Sequence, residues 1–172
     1  MQHVEPIEHL VERARGGDRG AFSQLVELHW SPLVRLARSV VGELEAEDAV
    51  QEALVTSWKK LARLRKPEGF AAWVRRIVLR ACFRRTRNRR RWTTLDDAPE
   101  PTTSSSPAGR LDVERILKRL APRQRAVMHL TLVEGMTDRE IGDALGIAAA
   151  SVRSHRRRAR QSLSSWLGGN RT

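Results

Sequence analysis

The sequence predicts an all-α protein of two small helical domains joined by a flexible linker. Three observations predict it. Apolar residues recur at i, i+3, i+4 along most of the chain, the period of a helix with one buried face. Alternating β-branched runs, the mark of half-buried strands, are nearly absent. Residues 93–110, TTLDDAPEPTTSSSPAGR, break the periodicity with three prolines and a serine run, a composition that cannot build a core. The boundaries follow: a first domain over residues 1–92, a linker over 93–110 and a second domain over 111–172. A chain of 172 residues can hold two small domains, each burying a smaller share of its surface than a large one would.

In the first domain, residues 4–15 are expected to form a short helix stopped by Gly16 and Gly17, and residues 21–41 a longer one stopped near Gly42. EAEDAVQEALVTSWKKLARL (45–64) follows, with Val50, Leu54, Trp58 and Leu61 as its buried stripe. That stripe turns Asp48, Gln51 and Glu52 outward as one polar cluster at i, i+3, i+4. A solvated helix face would show the same spacing. Past the Pro67-Glu68-Gly69 turn, FAAWVRRIVLRACFRRTRNRRR (70–91) places Phe70, Trp73, Val74, Ile77 and Ala81 inward. Its opposite face carries Arg76, Arg80, Arg84 and Arg87 every three or four residues, with Phe83 among them. Arginines at that spacing suit phosphates, and an aromatic can stack on a base of an opened strand.

In the second domain, residues 111–120 and 122–133 read as two helices, with Pro122 suited to a first helical position. The stretch MTDREIGDALGIAAASVRSHRRRARQSL (136–163) then sets a capped segment, a glycine and an arginine-loaded segment in succession. Thr137 and Glu140 fit the T-x-x-E capping box, opening a helix that buries Ile141, Ala144 and Leu145. Gly146 stops it, Ile147 packs inward from the turn, and a second helix begins near residue 149 or 150. This is helix-turn-helix grammar. On the second helix Val152, Ala159, Leu163 and Trp166 share the inner face, leaving Ser151, Arg153, Ser154, Arg157, Arg158 and Arg160 outward, where a recognition helix reads the major groove. Arg156 breaks the inner stripe and is expected to reach its rim. The four helices together make the C-terminal module.

Charge narrows the partners. The net charge of +12 favours a polyanion, nucleic acid first. Residues 1–60 carry 7 basic and 10 acidic side chains, a balance of −3, whereas residues 61–92 carry 12 and 1, a balance of +11. The linker stands at −2 and the second domain at +6. An acidic face on so basic a chain suggests a second interaction surface. The one cysteine, Cys82, cannot form an internal disulfide, and no Cys/His cluster has zinc spacing. The polar, acid-bearing start and the lack of a run of about 18 apolar residues support neither a signal peptide nor a membrane span, so a cytoplasmic protein without cofactor or metal is expected.

Four stretches in order resemble one family. LVERARGGDRGAFSQLVELH, AEDAVQEALVTSWKKL, FAAWVRRIVLRA and MTDREIGDALGIAAASVRSHRRRAR are similar, respectively, to the opening, the D-x-x-Q-E core-binding helix, the minus-10 helix and the region 4 helix-turn-helix of bacterial sigma factors of the extracytoplasmic-function type, which retain regions 2 and 4. The resemblance spans roughly residues 8–165. It implies a dissociable specificity subunit of RNA polymerase, without catalytic residues of its own, that directs promoter-specific initiation. Asp48, Gln51 and Glu52 would dock on the clamp coiled coil of the β′ subunit. Arg76, Arg80, Phe83, Arg84 and Arg87 would capture the minus-10 element, and Ser151, Arg153, Ser154, Arg157 and Arg158 the minus-35 element. Region 4 would also meet the β flap. An anti-sigma protein commonly holds such factors, and the free protein would be a monomer. The 18-residue linker reaches roughly 60 Å stretched or about 23 Å as a coil. The sequence departs from the family where Arg80 stands for a frequent Asn and Arg156 for a frequent apolar residue.

Two other readings stay open on the residues alone. A helix-turn-helix regulator binding an operator as a dimer would use the same C-terminal grammar, but it needs no acidic docking face. An enzyme acting on nucleic acid would need a P-loop, an H-E-x-x-H or a tight acid or histidine cluster, and His3, His9, His29, His129 and His155 are scattered.

Overall fold

The computed structural model describes residues 5–93 and 119–168, and the regular structure among them is helical throughout. In chain order the helices are α1 (Ile7–Arg15), α2 (Arg19–Val41), α3 (Glu43–Lys60), α4 (Phe70–Thr93), α5 (Pro122–Leu132), α6 (Asp138–Leu145) and α7 (Ala149–Gly168). Most of the expected 111–120 helix, linker residues 94–110 and the Trp166 side chain lie outside the described residues.

Local chemistry sets the boundaries. The Asp18 carboxylate caps α2 by accepting the Ala21 N–H at 3.0 Å; that donor and the Arg13 guanidinium hold the acid below its ordinary range. Gly42 ends α2 with φ of 93°, a conformation that side-chain-bearing residues avoid, and α3 begins at the next residue. Sequence periodicity carries α3 to residue 64, but the helix ends at Lys60 and tightens into a 3₁₀ turn over Leu61–Arg63. The reason lies ahead of it: Lys66 precedes Pro67 and is extended at φ −121°, ψ 114°, so the chain must leave the helical region before the proline. A second 3₁₀ turn, Pro67–Gly69, leads into α4.

Helices α1 to α4 pack around Leu10, Leu25, Leu36, Val50, Phe70 and Val74, all at most 2% exposed. The second group of helices does not stand apart. Helix α5 lies against α2 and α6 against α4, and Ala126, Val127, Leu130, Ile141 and Val152 continue the same apolar core. Leu120, Met128, Ala159 and Leu163 form a smaller cluster that holds α7 to α5.

Candidate nucleic-acid and partner interfaces

The α6–α7 pair is built as its sequence dictates. The Thr137 hydroxyl accepts the Glu140 N–H at 3.4 Å, and the Glu140 carboxylate accepts the Thr137 N–H at 2.8 Å. The Thr137 N–H and the Thr137 hydroxyl, which donates to the same carboxylate at 2.7 Å, hold the Glu140 carboxyl below its usual range, and the box starts α6 at Asp138. Gly146 closes α6 in the left-handed conformation, φ 66°. Close approach matters at Gly142, a position that helical periodicity does not mark. A Cβ there would lie 2.7 Å from the Ile147 carbonyl oxygen, and Gly142 itself accepts the Ile147 N–H at 3.0 Å. The turn is tight because one residue of α6 has no side chain.

Helix α7 buries Val152 and Ala159 completely and Leu163 in part, and it exposes Ser151, Arg153, Arg157, Arg158 and Arg160. Ser154 is half-buried. Arg156, the residue that breaks the inner stripe, reaches Asp138 Oδ1 at the start of α6, with N···O 2.7 Å. This is an ion pair without hydrogen-bond geometry, since that oxygen has no hydrogen-bond partner. Arg153 lies 3.8 Å from the same carboxylate. The pairing neutralises Arg156 and ties the two helices together. His155 is half-buried, and burial, then Arg123 and Arg158, push its pKa down.

On α3, Asp48 and Gln51 are exposed and Glu52 is half-buried. The same face carries two apolar side chains open to solvent, Leu44 at 96% and Val55 at 55% exposure. Residues 44, 48, 51, 52 and 55 follow i, i+4, i+7, i+8, i+11 spacing, so acid, amide and aliphatic groups make one surface. The spacing that marks the polar cluster does not mark its apolar flanks, although both lie outside the Val50, Leu54 and Leu61 stripe and so were legible in the sequence. Glu52 is not free within this face. Its carboxylate pairs with Arg84 and, at 3.3 Å, with Arg85, both on α4.

On α4, Arg76, Arg80, Arg84 and Arg87 are all exposed along one face, as their spacing requires. Phe83 lies among them but is half-buried, with the Arg123 guanidinium of α5 set 5.4 Å over its ring. The opposite face buries Phe70, Val74, Val78 and Cys82. Trp73 and Ile77, expected in the core, are half-buried at its edge, with Trp73 tilted against Phe70 at 6.1 Å. Burial raises the Cys82 thiol to about 12, which keeps it protonated and unreactive. Among the described residues, no group of three or more His, Cys, Asp or Glu could hold a metal ion, and no helix is long and apolar enough to cross a membrane.

Comparison with known proteins places two segments. Residues 25–92 match the family model for Sigma-70 region 2, and residues 110–163 that for Sigma-70, region 4. The ECF RNA polymerase sigma factor SigM of Mycobacterium tuberculosis is 33% identical over 171 residues, spanning 97% of this chain and 87% of that protein. The RNA polymerase sigma factor NccH of Alcaligenes xylosoxydans xylosoxydans is 34% identical over 176 residues, spanning 93% and 94%. Among solved structures, CnrH in complex with the cytosolic domain of CnrY superposes with a TM-score of 0.69 at 30% identity, covering 95% of this chain and 98% of that one. The sigma factor RpoE of Bartonella quintana, in complex with the anti-sigma factor NepR, gives 0.68 at 25% identity, covering 87% and 98%.

Proposed function

Because the chain belongs to the extracytoplasmic-function sigma factors of the sigma-70 family, we propose that its three exposed surfaces divide the work of an RNA polymerase specificity subunit. The α3 face of Asp48, Gln51 and Glu52, widened by Leu44 and Val55, docks on the clamp coiled coil of the polymerase β′ subunit. Acids meet its basic groups while the aliphatic flanks bury apolar area, the usual anatomy of a specific interface. On α4, Arg76, Arg80, Arg84 and Arg87 hold the backbone of the minus-10 element, and Phe83 stacks on an opened base. On α7, Ser151, Arg153, Ser154, Arg157 and Arg158 read and grip the minus-35 element in the major groove.

Residues 1–92 then form the core-binding and minus-10 unit, 93–110 the tether and 111–172 the minus-35 unit, which also meets the β flap. The chemistry of nucleotide addition stays with the core enzyme, and the protein works where that enzyme is, in the cytoplasm. Relatives of similar fold are bound by CnrY and by NepR, which supports an anti-sigma protein as a further partner of this monomer.

One observation carries the reading over an operator-binding regulator: the mixed acidic and aliphatic face of α3, far in sequence from the helix-turn-helix and exposed. The test is transcription by purified core RNA polymerase on promoter DNA selected from the genome, with the protein or its Asp48→Arg, Gln51→Arg variant. Glu52 is left intact because it also pairs with Arg84. Specific initiation that the variant loses, with binding to minus-35 duplex unchanged, is the expected result. Sequence-specific duplex binding without any core binding or initiation would refute it and favour the regulator.

A further inference from the structure

One carboxylate stands between two arginines of α7. Asp138 is the first residue of α6, and its side chain is 22% exposed. Arg156 lies 2.7 Å from its Oδ1, and Arg153, one turn earlier on the same helix, lies 3.8 Å from its Oδ2. The two guanidinium groups differ in access: the Arg156 side chain is 23% exposed and that of Arg153 60%. Among the described residues, Arg157, Arg158 and Arg160 of the same helix form no ion pair, so the acid is placed selectively.

Starting a helix does not account for this acid. Thr137 and Glu140 already supply the capping box, and a solvated carboxylate would complement the positive end of α6 equally well. Instead Asp138 Oδ1 is buried and, among the described residues, accepts no hydrogen bond, an arrangement that native structures avoid without a compensating gain. Beside a polyanion a negative charge also repels. Arg156 removes that second objection, because at 2.7 Å it cancels the charge of the carboxylate on the face that phosphates approach. The gain lies at Arg153. Its separation of 3.8 Å is too long for a hydrogen bond, so the carboxylate attracts the guanidinium without occupying any of its N–H donors. An exposed arginine otherwise spreads over many rotamers, whereas a bidentate contact with O6 and N7 of guanine needs one orientation. A charge fixed at the start of α6 narrows those rotamers before DNA arrives.

We propose that Asp138 is a specificity-determining residue of the minus-35 surface: it positions Arg153 for one base pair, and Arg156 neutralises it so that it can stand beside DNA. This role rests on the assignment of α7 to the minus-35 element. Its consequence separates selectivity from affinity: removing the charge loosens base preference without weakening DNA binding as a whole. Arg156 lines an open groove with Arg153, Arg157 and Arg160, and once released from Asp138 it can take a phosphate.

The experiment binds the full chain to a duplex library randomised across the minus-35 region and compares the parent with Asp138→Asn, Asp138→Glu, Arg153→Ala and Asp138→Asn combined with Arg153→Ala. Asparagine keeps the size and polarity of the side chain and removes its charge; circular dichroism reports whether the helices persist. The base pair at which Arg153→Ala loses the parent's preference is the one that Arg153 reads. There Asp138→Asn is expected to cut discrimination roughly 5-fold or more, since a bidentate arginine–guanine contact discriminates by about that factor or more. Affinity for unselected duplex should hold or rise, and the slope of log K against log salt should steepen by about 1. Asp138→Glu, which keeps the charge, should hold the preference. In the Arg153→Ala background Asp138→Asn should change no base preference, which marks an effect transmitted through Arg153. Loss of helicity in Asp138→Asn, or a uniform loss of affinity across all sequences, would assign Asp138 to holding the fold alone and overturn the proposal. So would an equal change of preference with and without Arg153, an equal loss in Asp138→Asn and Asp138→Glu, or a parent preference that survives in Arg153→Ala. A parent that selects no sequence at all would refute the assignment of α7 itself.

Discussion

Replacing Gly142 with alanine tests whether the helix-turn-helix depends on one close backbone approach. The new Cβ would sit 2.7 Å from the Ile147 carbonyl oxygen, 3.5 Å from the Ala149 nitrogen and 3.7 Å from the Ala148 carbonyl carbon. All three are backbone atoms, so no side chain can swing aside. Relief requires moving the turn, which loosens the Ile147 N–H to Gly142 bond and shifts the start of α7. Overpacking of this kind costs about 1–3 kcal/mol, and the weakened hydrogen bond about 1 more. Alanine's helix preference returns about 1. The net is a destabilisation of about 1–3 kcal/mol, which for a chain of this size lowers the melting temperature by roughly 2–12 °C. Thermal unfolding followed by circular dichroism measures it. Binding to minus-35 duplex should fall with it, while binding to minus-10 single strand is retained. The control is Gly146→Ala, where nothing lies within 4 Å and only the positive φ of 66° resists, for about 1 kcal/mol. A Gly142→Ala protein as stable as the parent, with full duplex binding, would refute the argument from close approach.

Two further outcomes follow from the electrostatics. Arg157 is exposed on the reading face without an ion pair to Asp138, so Arg157→Ala should weaken minus-35 duplex binding and reduce the slope of log K against log salt by about 1 if the residue holds a phosphate; an unchanged slope would assign it to a base edge or to solvent. His129 is pushed down to about 4 by burial first, then by Arg35 and Arg75, against 6.5 for a free histidine. The unfolded chain therefore binds the proton more readily, and stability is intact above pH 6.5 and declines as pH falls towards 4. The loss approaches about 3 kcal/mol at full protonation, less what the nearby Glu134 carboxylate returns to the charged ring. His129→Gln should flatten that decline in a pH series of thermal melts.

Much of this molecule was legible in sequence because its cues are local. The Thr137–Glu140 box, Gly146 and the Val152–Ala159 stripe act within one or two helical turns, and each sits where the pattern placed it. The arginine stripe of α4 was equally readable, since helical spacing alone brings Arg76, Arg80, Arg84 and Arg87 to one face. What escaped reading depends on partners distant in the chain. The end of α3 at Lys60 could have been found from Pro67, whose demand on Lys66 is local. The docking of α5 on α2 could not, because a helix stripe states that a face is buried and not against what. Arg156 shows the same limit from the other side. As a charged residue on an apolar stripe it signalled an exception, but only the fold brings Asp138 to it from the preceding helix.

Glu52 illustrates why surfaces assigned one helix at a time are not independent. By spacing it belongs with Asp48 and Gln51 on the proposed docking face of α3, yet its carboxylate is held by Arg84 and Arg85 of α4. The acid that completes one interface therefore neutralises an arginine of the next. Exposed ion pairs contribute little to stability, so this one matters less for holding α3 to α4 than for deciding which charge each face presents. While Glu52 engages Arg84, the α4 stripe offers polyanions one cation fewer, and α3 offers a basic partner one anion fewer. A basic group of the polymerase that captured Glu52 would return Arg84 to the DNA face, joining the two binding events through a single carboxylate. Among the described residues Asp48 forms no ion pair, and that asymmetry is what makes it the residue with which the proposed docking alone can be perturbed.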